Sequence, residues 1–368
     1  TRFGRIGLNM ASTAAPLLWL IAGAVLSSCA DEVSHPAGPS GLETPPPEPT
    51  VGPALKVRVR SSDGMDPLPA RLIINGVPPT PAPKIYNDGA TAQMVSTFVL
   101  GVTDGAMLAT GEGTLTLPAG TYDVQVLQGP EYETEYRRVT ITGQQIATLD
   151  VVLEHSVRTN GWLAADMHIH TSRSFDSKLA PAHRVISEVA AGIQVVVPTD
   201  HIFHNDLQDY IYSLGYSDRA VSIPGSEYGF AYGHLGVYPV HFDPRGALWG
   251  APAWQVWENW RNLPGEVVFP MIHGLPGQPV VVINHPRLPP DLGYFRNVNW
   301  PRYPGEPLST EGLFDGMEVL NGYHQTPEDL MPLLRDWFYF LSQGRRVAAL
   351  GNSDTHRIDW LRAGYPRT

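Results

Sequence analysis

The sequence predicts an α/β domain preceded by a small all-β sandwich, and three observations carry that expectation. Residues 54–153 alternate apolar and polar side chains in short runs broken by turn signals, the pattern that buries one face of a strand and wets the other. From about Gly161, short apolar runs are instead each followed by a polar loop and often a helical pattern, the grammar of a parallel sheet or barrel. An apolar content of 43% with nine Trp in 368 residues gives both parts enough material for cores.

In chain order, a mostly apolar stretch from Ala14 to Leu26 follows Arg2 and Arg5, the layout of a signal peptide. A transmembrane anchor is the alternative, but this run is shorter than the about 20 residues that span a bilayer. Leu26-Ser27-Ser28-Cys29 resembles the lipobox of bacterial lipoproteins, in which the cysteine is lipidated and becomes the mature N-terminus. Residues 1–28 are therefore expected to be a lipoprotein signal peptide, with Cys29 as the lipidated residue and the protein held on a membrane through that anchor alone. Ala30, rather than Asp, after the cysteine resembles the sorting pattern for the outer membrane, so the expected location is its periplasmic face or the cell surface. Cys29 is the single cysteine, so no internal disulfide is available and any metal ligand must be nitrogen or oxygen. Residues 29–52, rich in Pro, Gly, Ser and acid, should form an extended tether.

Residues 53–157 hold the sandwich strands: Leu55 to Arg60, Arg71 to Ile74, Thr114 to Leu117, Thr121 to Leu127, Tyr136 to Ile141 and Ala147 to Leu153. Asn75-Gly76, Pro118-Ala119-Gly120 and Thr142-Gly143 punctuate them, the spacing of a small antiparallel sandwich. The stretch GTLTLPAGTYDVQVLQG resembles prealbumin-like and carboxypeptidase-regulatory-like modules, and no catalytic constellation lies in it.

Residues 158–368 should form the α/β domain. Its strands are expected at Leu163 to Met167, Ile193 to Pro198, Val221 to Gly225, Val280 to Ile283, Gly316 to Leu320 and Val347 to Leu350. Helices are expected from Pro181 to Ala191 and from Pro327 to Gln343, the latter opened by Thr326 as N-cap. The chain begins with Thr and stops shortly after its last motif with no obvious closing helix, so a truncated C-terminus is expected.

Of 13 histidines, 11 lie between residues 168 and 356, several where an expected strand ends. Positions i and i+2 of a strand share a face, so Asp166-Met167-His168-Ile169-His170 sets two imidazoles and a carboxylate side by side, and Asp354-Thr355-His356 repeats the arrangement. Between them come Asp200-His201, Glu227, His234 and His285, most at a strand's C-terminal end, where barrel active sites are built. His183, His204, His241, His273 and His324 are read instead as core or exposed residues. Burying several carboxylates together costs several kcal/mol per ion unless cations neutralise them, so the strand-end set points to metal.

The ordered run DMHIH, PTDH, GSE, GHLG, NHPR and GNSDTH, over about residues 161–360, resembles the PHP superfamily, named for its polymerase and histidinol phosphatase members. With a sandwich in front and GNSDTHR at the end, it looks most like the branch named after a carbaryl hydrolase. The resemblance implies a distorted seven-stranded barrel holding two or three divalent ions, with Zn, Mn or Fe equally compatible with the donors. It implies that His168, His170, Glu227 and Asp354 hold the first ion and that Glu227 bridges to a second held by His234 and His285. A third would take His201 and His356, with Asp176 standing where some members carry a histidine. Asp166, Asp200, Asn284 and Asn321 are read as partners that orient imidazoles, with ordinary loop capping an equal alternative for the two Asn.

A formal charge of −11 leaves no obvious basic face, so nucleic-acid binding is not expected and a small-molecule ester is the expected substrate. The leading expectation is a hydrolase that uses a metal-activated water, with Asp354 and His356 moving protons, and a phosphoesterase before a carbamate or amide hydrolase. Arg287 and Arg357 could contact an anionic substrate or serve as surface ion-pair residues. The rival from another class is a non-catalytic surface binding protein, against which stands the unbroken set of six motifs.

Overall fold

A computed structural model of the chain describes residues 44–85, 92–230, 233–256, 265–288, 292–297, 314–323, 326–358 and 362–368. The signal peptide, Cys29, the first part of the tether and His324 lie outside the described residues. Residues 43–368 form one compact unit, and among the described residues no helix is long and apolar enough to cross a membrane.

The first nine strands are β1 (Ala54–Ser61), β2 (Ala70–Gly76), β3 (Gln93–Ser96), β4 (Val99–Val102), β5 (Gly105–Leu108), β6 (Glu112–Thr116), β7 (Gly120–Leu127), β8 (Glu135–Ile141) and β9 (Ile146–Leu153). They make a three-stranded sheet β6-β1-β9 and a six-stranded sheet β3-β4-β5-β2-β7-β8. Inward residues of both, among them Leu55, Val57, Leu72, Ile74, Leu115, Tyr122, Val124 and Val151, meet in one buried cluster. The expected wholly antiparallel order is corrected at one place. β1 and β9, the first and last strands, run parallel with Ala54 opposite Ile146, because everything between them serves as the crossover. β3, β4 and β5 were not expected: β4 and β5 are four-residue strands buried on both faces, so they carry no alternation to read.

The remaining elements are β10 (Ala165–Ile169), α1 (Pro181–Ala190), β11 (Val195–Pro198), α2 (Gln208–Ser213), β12 (Val221–Ser222), β13 (Ser226–Phe230), β14 (Gly233–Tyr238), α3 (Gly265–His273), β15 (Val280–Ile283), α4 (Tyr294–Asn297), β16 (Gly316–Asn321), α5 (Pro327–Ser342) and β17 (Ala348–Asn352). They build a parallel sheet β10-β11-β12 and a five-stranded sheet β13-β14-β15-β16-β17. The all-parallel expectation is corrected here as well, since β13, β14 and β15 pair antiparallel. The β13–β14 hairpin is rich in glycine, and its apolar runs are too short to announce strands. Single bridges, Ile169 with Thr355 and His201 with Glu227, join the two sheets at their strand ends. Val197, Tyr238, Val282 and Leu350 fill the space between the sheets.

α1 begins with Pro181 at its first turn and buries Val185, Ile186 and Val189 against Leu100, Val102 and Met107 of the β3–β8 sheet, so the two parts share one core. α5 opens on Thr326, whose hydroxyl accepts the Asp329 N–H at 3.3 Å, and buries Leu333 and Phe340. These helices fix the strands whose ends carry the histidines.

Candidate metal centre

The residues singled out from the sequence come from six elements. His168 lies on β10 with His170 just beyond it, Glu227 on β13 and His234 on β14, while His201, His285, Asp354 and His356 follow the ends of β11, β15 and β17. His168, His170, His201, Glu227, His285 and Asp354 are all buried. Their common neighbour is Glu227. Its Oε1 lies 3.1 Å from His168 Nε2, 3.3 Å from His234 Nδ1 and 3.4 Å from His285 Nε2. Its Oε2 lies 3.3 Å from His170 Nε2 and 3.2 Å from His201 Nε2. Asp354 faces the same space, with Oδ1 at 3.2 Å from His168 Nε2 and 3.5 Å from His170 Nε2.

The far nitrogen of most of these rings is tethered to an acceptor, which fixes the tautomer. His168 Nδ1–H donates to Glu318 Oε1 at 2.8 Å, His201 Nδ1–H to the Glu227 carbonyl at 3.3 Å and His356 Nδ1–H to the Asp354 carbonyl at 3.0 Å. Ser174 gives its hydroxyl proton to Asp176 at 2.6 Å and so accepts from His170 Nδ1 at 3.4 Å. In each case Nε2 is left to point at carboxylates. Two residues reach this geometry through left-handed backbone, His285 at φ 29° and Asp354 at φ 52°. Such positions cost of order 1–3 kcal/mol and persist where surrounding structure enforces them.

The set fits divalent metal on two grounds. His170 Nε2 and Asp354 Oδ1 are buried with no hydrogen-bond partner among the described residues, which is costly unless a cation satisfies them. The Nε2-to-carboxylate separations of 3.1–3.5 Å are long for hydrogen bonds and match the about 3.3 Å between two ligands on one ion with bonds of about 2.0–2.1 Å. Among the described residues there are four groups whose donor atoms lie within 4.8 Å of one another inside each group: His168, His285 and Asp354; His168, His170 and Glu227; His170, Asp176 and His356; and His201, Glu227 and His234. His285 joins His168 and Asp354, whereas His201 joins Glu227 and His234, while still lying 3.3 Å from Asp176. Asp176 also meets His356 Nε2 at 3.0 Å.

The close approach of imidazoles and carboxylates shifts the titration of most of these groups. Burial alone would raise Glu227, but the charges of His168, His234 and His201 hold it well below the usual carboxylate range. Asp354 is lowered against burial by His168, His170 and His285, and Asp176 by His201 and His356. Conversely, burial would depress His170, yet the carboxylates of Asp354 and Glu227 beside its ring push it up to about 10. His168 is raised well above its ordinary value by Asp354, Glu227 and Glu318, again against burial. His234 moves the other way, lowered by burial.

The expected orienting residues divide. Asn284 donates to Glu227 Oε1 at 2.8 Å and lies 3.5 Å from His168 Nε2, and Asn321 donates to Asp354 Oδ2 at 3.3 Å. Asp166 and Asp200 touch no imidazole. A register shift between Asp166 and Ile169 breaks the strand alternation, and Asp166 accepts from the backbone N–H of His168, Ser353 and Gly364. Asp200 accepts from the N–H and hydroxyl of Thr171 and from Asn205. Arg287 forms a two-point ion pair with Asp336, at 2.5 and 2.7 Å, and Arg357 is exposed beside His356. His204 and His273 are tied to Tyr228 and Asp315 respectively.

The residue missed from the sequence is Glu318, fully buried on β16. One oxygen takes His168 Nδ1–H and the Asn352 amide at 2.9 Å, the other the His285 N–H at 2.6 Å and the Asn321 amide at 2.8 Å. Its signal was an acid inside the apolar run GMEVL. Phe175, 76% exposed, stacks its ring on His201 at 5.0 Å between centroids. A cavity of about 260 Å³ lined by Gln128, Tyr132, His155 and Gln194 lies elsewhere and includes none of the candidate ligands.

No protein-family model and no curated protein matches the chain. Among solved structures it is similar to a protein from Bifidobacterium adolescentis described as a metal-dependent phosphoesterase, at 16% identity and a TM-score of 0.35, covering 55% of this chain and 93% of that one. It is also similar to an amidohydrolase from Chromobacterium violaceum with bound sulfate, at 14% identity and a TM-score of 0.35, covering 55% of this chain and 90% of that one. A streptococcal ancillary pilin is similar at 16% identity and a TM-score of 0.20, over 28% of this chain and 32% of the pilin. At these scores the reading of the site rests on its side-chain geometry.

Proposed function

We propose that this chain is a metal-dependent hydrolase of ester bonds, of the PHP type, and that its first activity is phosphoester hydrolysis. One observation carries the reading: a single buried carboxylate, Glu227, faces Nε2 of His168, His170, His201 and His285 and Nδ1 of His234 at 3.1–3.4 Å. Five imidazole nitrogens converging on one buried carboxylate, with donor atoms left without hydrogen-bond partners among the described residues, form a ligand set that cations would satisfy. Two or three divalent ions, Zn, Mn or Fe, held by these residues with Asp176, Asp354 and His356, would activate water for attack and polarise the scissile oxygen.

The chain's own residues supply the rest. Glu318 and Ser174 hold His168 and His170 with Nε2 facing inward. Asp354, with Oδ1 turned to the cluster beside His168 and His170 and Oδ2 on the Asn321 amide, would take the proton that the attacking water loses. His356 lies at the edge of the cluster with its side chain 15% exposed and Nε2 on Asp176; where only two ions bind and it holds none, its protonated ring would pass a proton to the leaving group. The two sheets joined by single bridges are read as arcs of the distorted seven-stranded barrel, and residues 1–28 with Cys29 as the export signal and lipid anchor of a protein at the outer membrane or cell surface.

A second reading, carbamate or amide ester hydrolysis, is favoured by Phe175, an exposed ring stacked on His201 that suits an apolar leaving group. Arg287, engaged with Asp336, adds no support to an anionic substrate. Elemental analysis of the full chain in detergent, with turnover assays on p-nitrophenyl phosphate, a phosphodiester and an aryl carbamate, decides. Two or more ions per chain and turnover lost in His168→Ala support the hydrolase and choose the bond. Folded protein without stoichiometric metal sinks it and promotes a surface binding protein.

A further inference from the structure

Arg184 lies in the interior of α1 with no solvent exposure. A guanidinium in that setting needs its donors satisfied, and the nearest carboxylate, Glu188, stands 3.8 Å away with neither oxygen hydrogen-bonded among the described residues. The donors go elsewhere. Nε donates to the His170 carbonyl at 3.1 Å, one terminal nitrogen to the Thr355 carbonyl at 2.9 Å and the other to the Thr355 hydroxyl at 3.2 Å. The same Thr355 carbonyl accepts the His170 N–H at 3.0 Å. His170 and Thr355 belong to the loops after β10 and β17, which carry His170, Asp354 and His356, and the rings of His170 and His356 stack at 3.9 Å.

We propose that Arg184 is a positioning residue of the metal centre, a buried fork that locks the β10 and β17 loops in the register at which His170, Asp354 and His356 meet. The inference rests on the metal-centre reading above. It follows from the shape of the group: a rigid planar fork reaches two carbonyls and a hydroxyl at fixed angles, whereas an ammonium is a point donor on a flexible stem. Left-handed Asp354, one residue before Thr355, is the conformation such a lock would hold.

The test is titration of the metal-free full chain with cobalt(II), followed by its visible absorption, in wild type, Arg184→Lys and Glu188→Gln. Arg184→Lys is expected to bind cobalt about 10- to 100-fold more weakly with an altered band envelope, the loss typical when a partner that orients a ligand is removed. Glu188→Gln, which keeps every Arg184 donor, is expected to stay within about twofold of wild type. A folded Arg184→Lys with wild-type affinity and spectrum overturns the proposal, and an equal loss in Glu188→Gln does so too by making the charge pair, not the fork, responsible. If Arg184→Lys does not fold, Thr355→Val carries the decision: it removes the hydroxyl that accepts from Arg184 and donates to the Arg357 carbonyl at 2.8 Å, and a several-fold loss with a changed spectrum supports the lock, while an unchanged titration overturns it. Wild type that binds no cobalt fails the metal-centre reading instead.

Discussion

The Nδ1–H of His168 donates to Oε1 of Glu318 at 2.8 Å, and both residues are completely buried. A carboxylate can only accept there, so the ring is fixed with Nε2 aimed at Glu227 and Asp354. Glu318→Gln cannot keep this arrangement. The same side chain already accepts from Asn321, Asn352 and the His285 N–H, and an amide would set its own donors against some of theirs. The expected outcome is metal binding weakened about 10- to 100-fold, checked by chelator competition against wild type.

Metal binding should release protons. His170 is pushed up to about 10 by Asp354 and Glu227, so it is charged at neutral pH in the metal-free protein and must lose its proton to become a ligand. Asp354 and Glu227 are already ionised and release none. Apparent affinity should therefore climb with pH, by about tenfold per unit for each displaced proton. Calorimetric titration at pH 7 in buffers of different ionisation enthalpy checks this, and equal heats in all buffers would refute it. The linked stability has a definite sign. A raised histidine contributes fully below its ordinary value of 6.5, and in chelator that contribution is lost as pH rises through about 10.

His204 should make the opposite contribution. Its Nδ1–H donates to the His241 carbonyl at 2.7 Å, so Nε2 accepts from the Tyr228 hydroxyl at 2.7 Å, and burial pulls the ring down to about 4. A depressed histidine stabilises the fold fully above 6.5 and loses that contribution as pH falls toward 4, because the unfolded chain takes up the proton first. The loss amounts to roughly 2–3 kcal/mol. Denaturant unfolding between pH 7 and 4, compared with His204→Gln, isolates it as a difference in slope.

Much of this site was legible because strand ends speak through spacing. His168 and His170 at i and i+2, and Asp354 and His356 likewise, announce themselves, and Glu227, His234 and His285 do so through their glycine- and proline-marked motifs. Glu318 was not legible: an acid one position off the core pattern of a short strand reads as a solvent-facing residue, and only its pairing with two other strands shows otherwise. Asp166 failed for a related reason, since alternation predicts its face correctly only on an unbroken strand, and here the register shifts. The β13–β14 hairpin and α3 were hidden by glycine and by Pro270, and their strand or helix state is imposed by tertiary pairing.

Arg287 should matter for folding more than for turnover. Its guanidinium meets Asp336 on α5 through two hydrogen bonds, and Asp336 is 5% exposed. Burial keeps Asp336 raised even against Arg287, the mark of a carboxylate that depends on its partner. Arg287→Ala is expected to destabilise by about 3 kcal/mol by stranding that carboxylate. Pairing it with Asp336→Ala should recover part of the loss. A double-mutant cycle by denaturant unfolding measures the coupling, and a cycle with no coupling would return Arg287 to the substrate candidates.

Glu227→Gln should weaken the whole cluster. It preserves volume and removes the one charge common to His168, His170, His201, His234 and His285. In wild type, an ion that binds the folded state alone adds about 2.7 kcal/mol at a free concentration a hundred times its dissociation constant. Zinc or manganese should therefore raise the melting temperature, and chelator should reverse it. In Glu227→Gln that shift should shrink markedly over the same concentration range, because two of the four donor groups lose their carboxylate and no remaining one reaches all five imidazoles: Asp354 meets His168, His170 and His285, while Asp176 meets His170 and His201. An unchanged shift in this variant would mean that ions stabilise the protein without Glu227, against its place at the centre of the site.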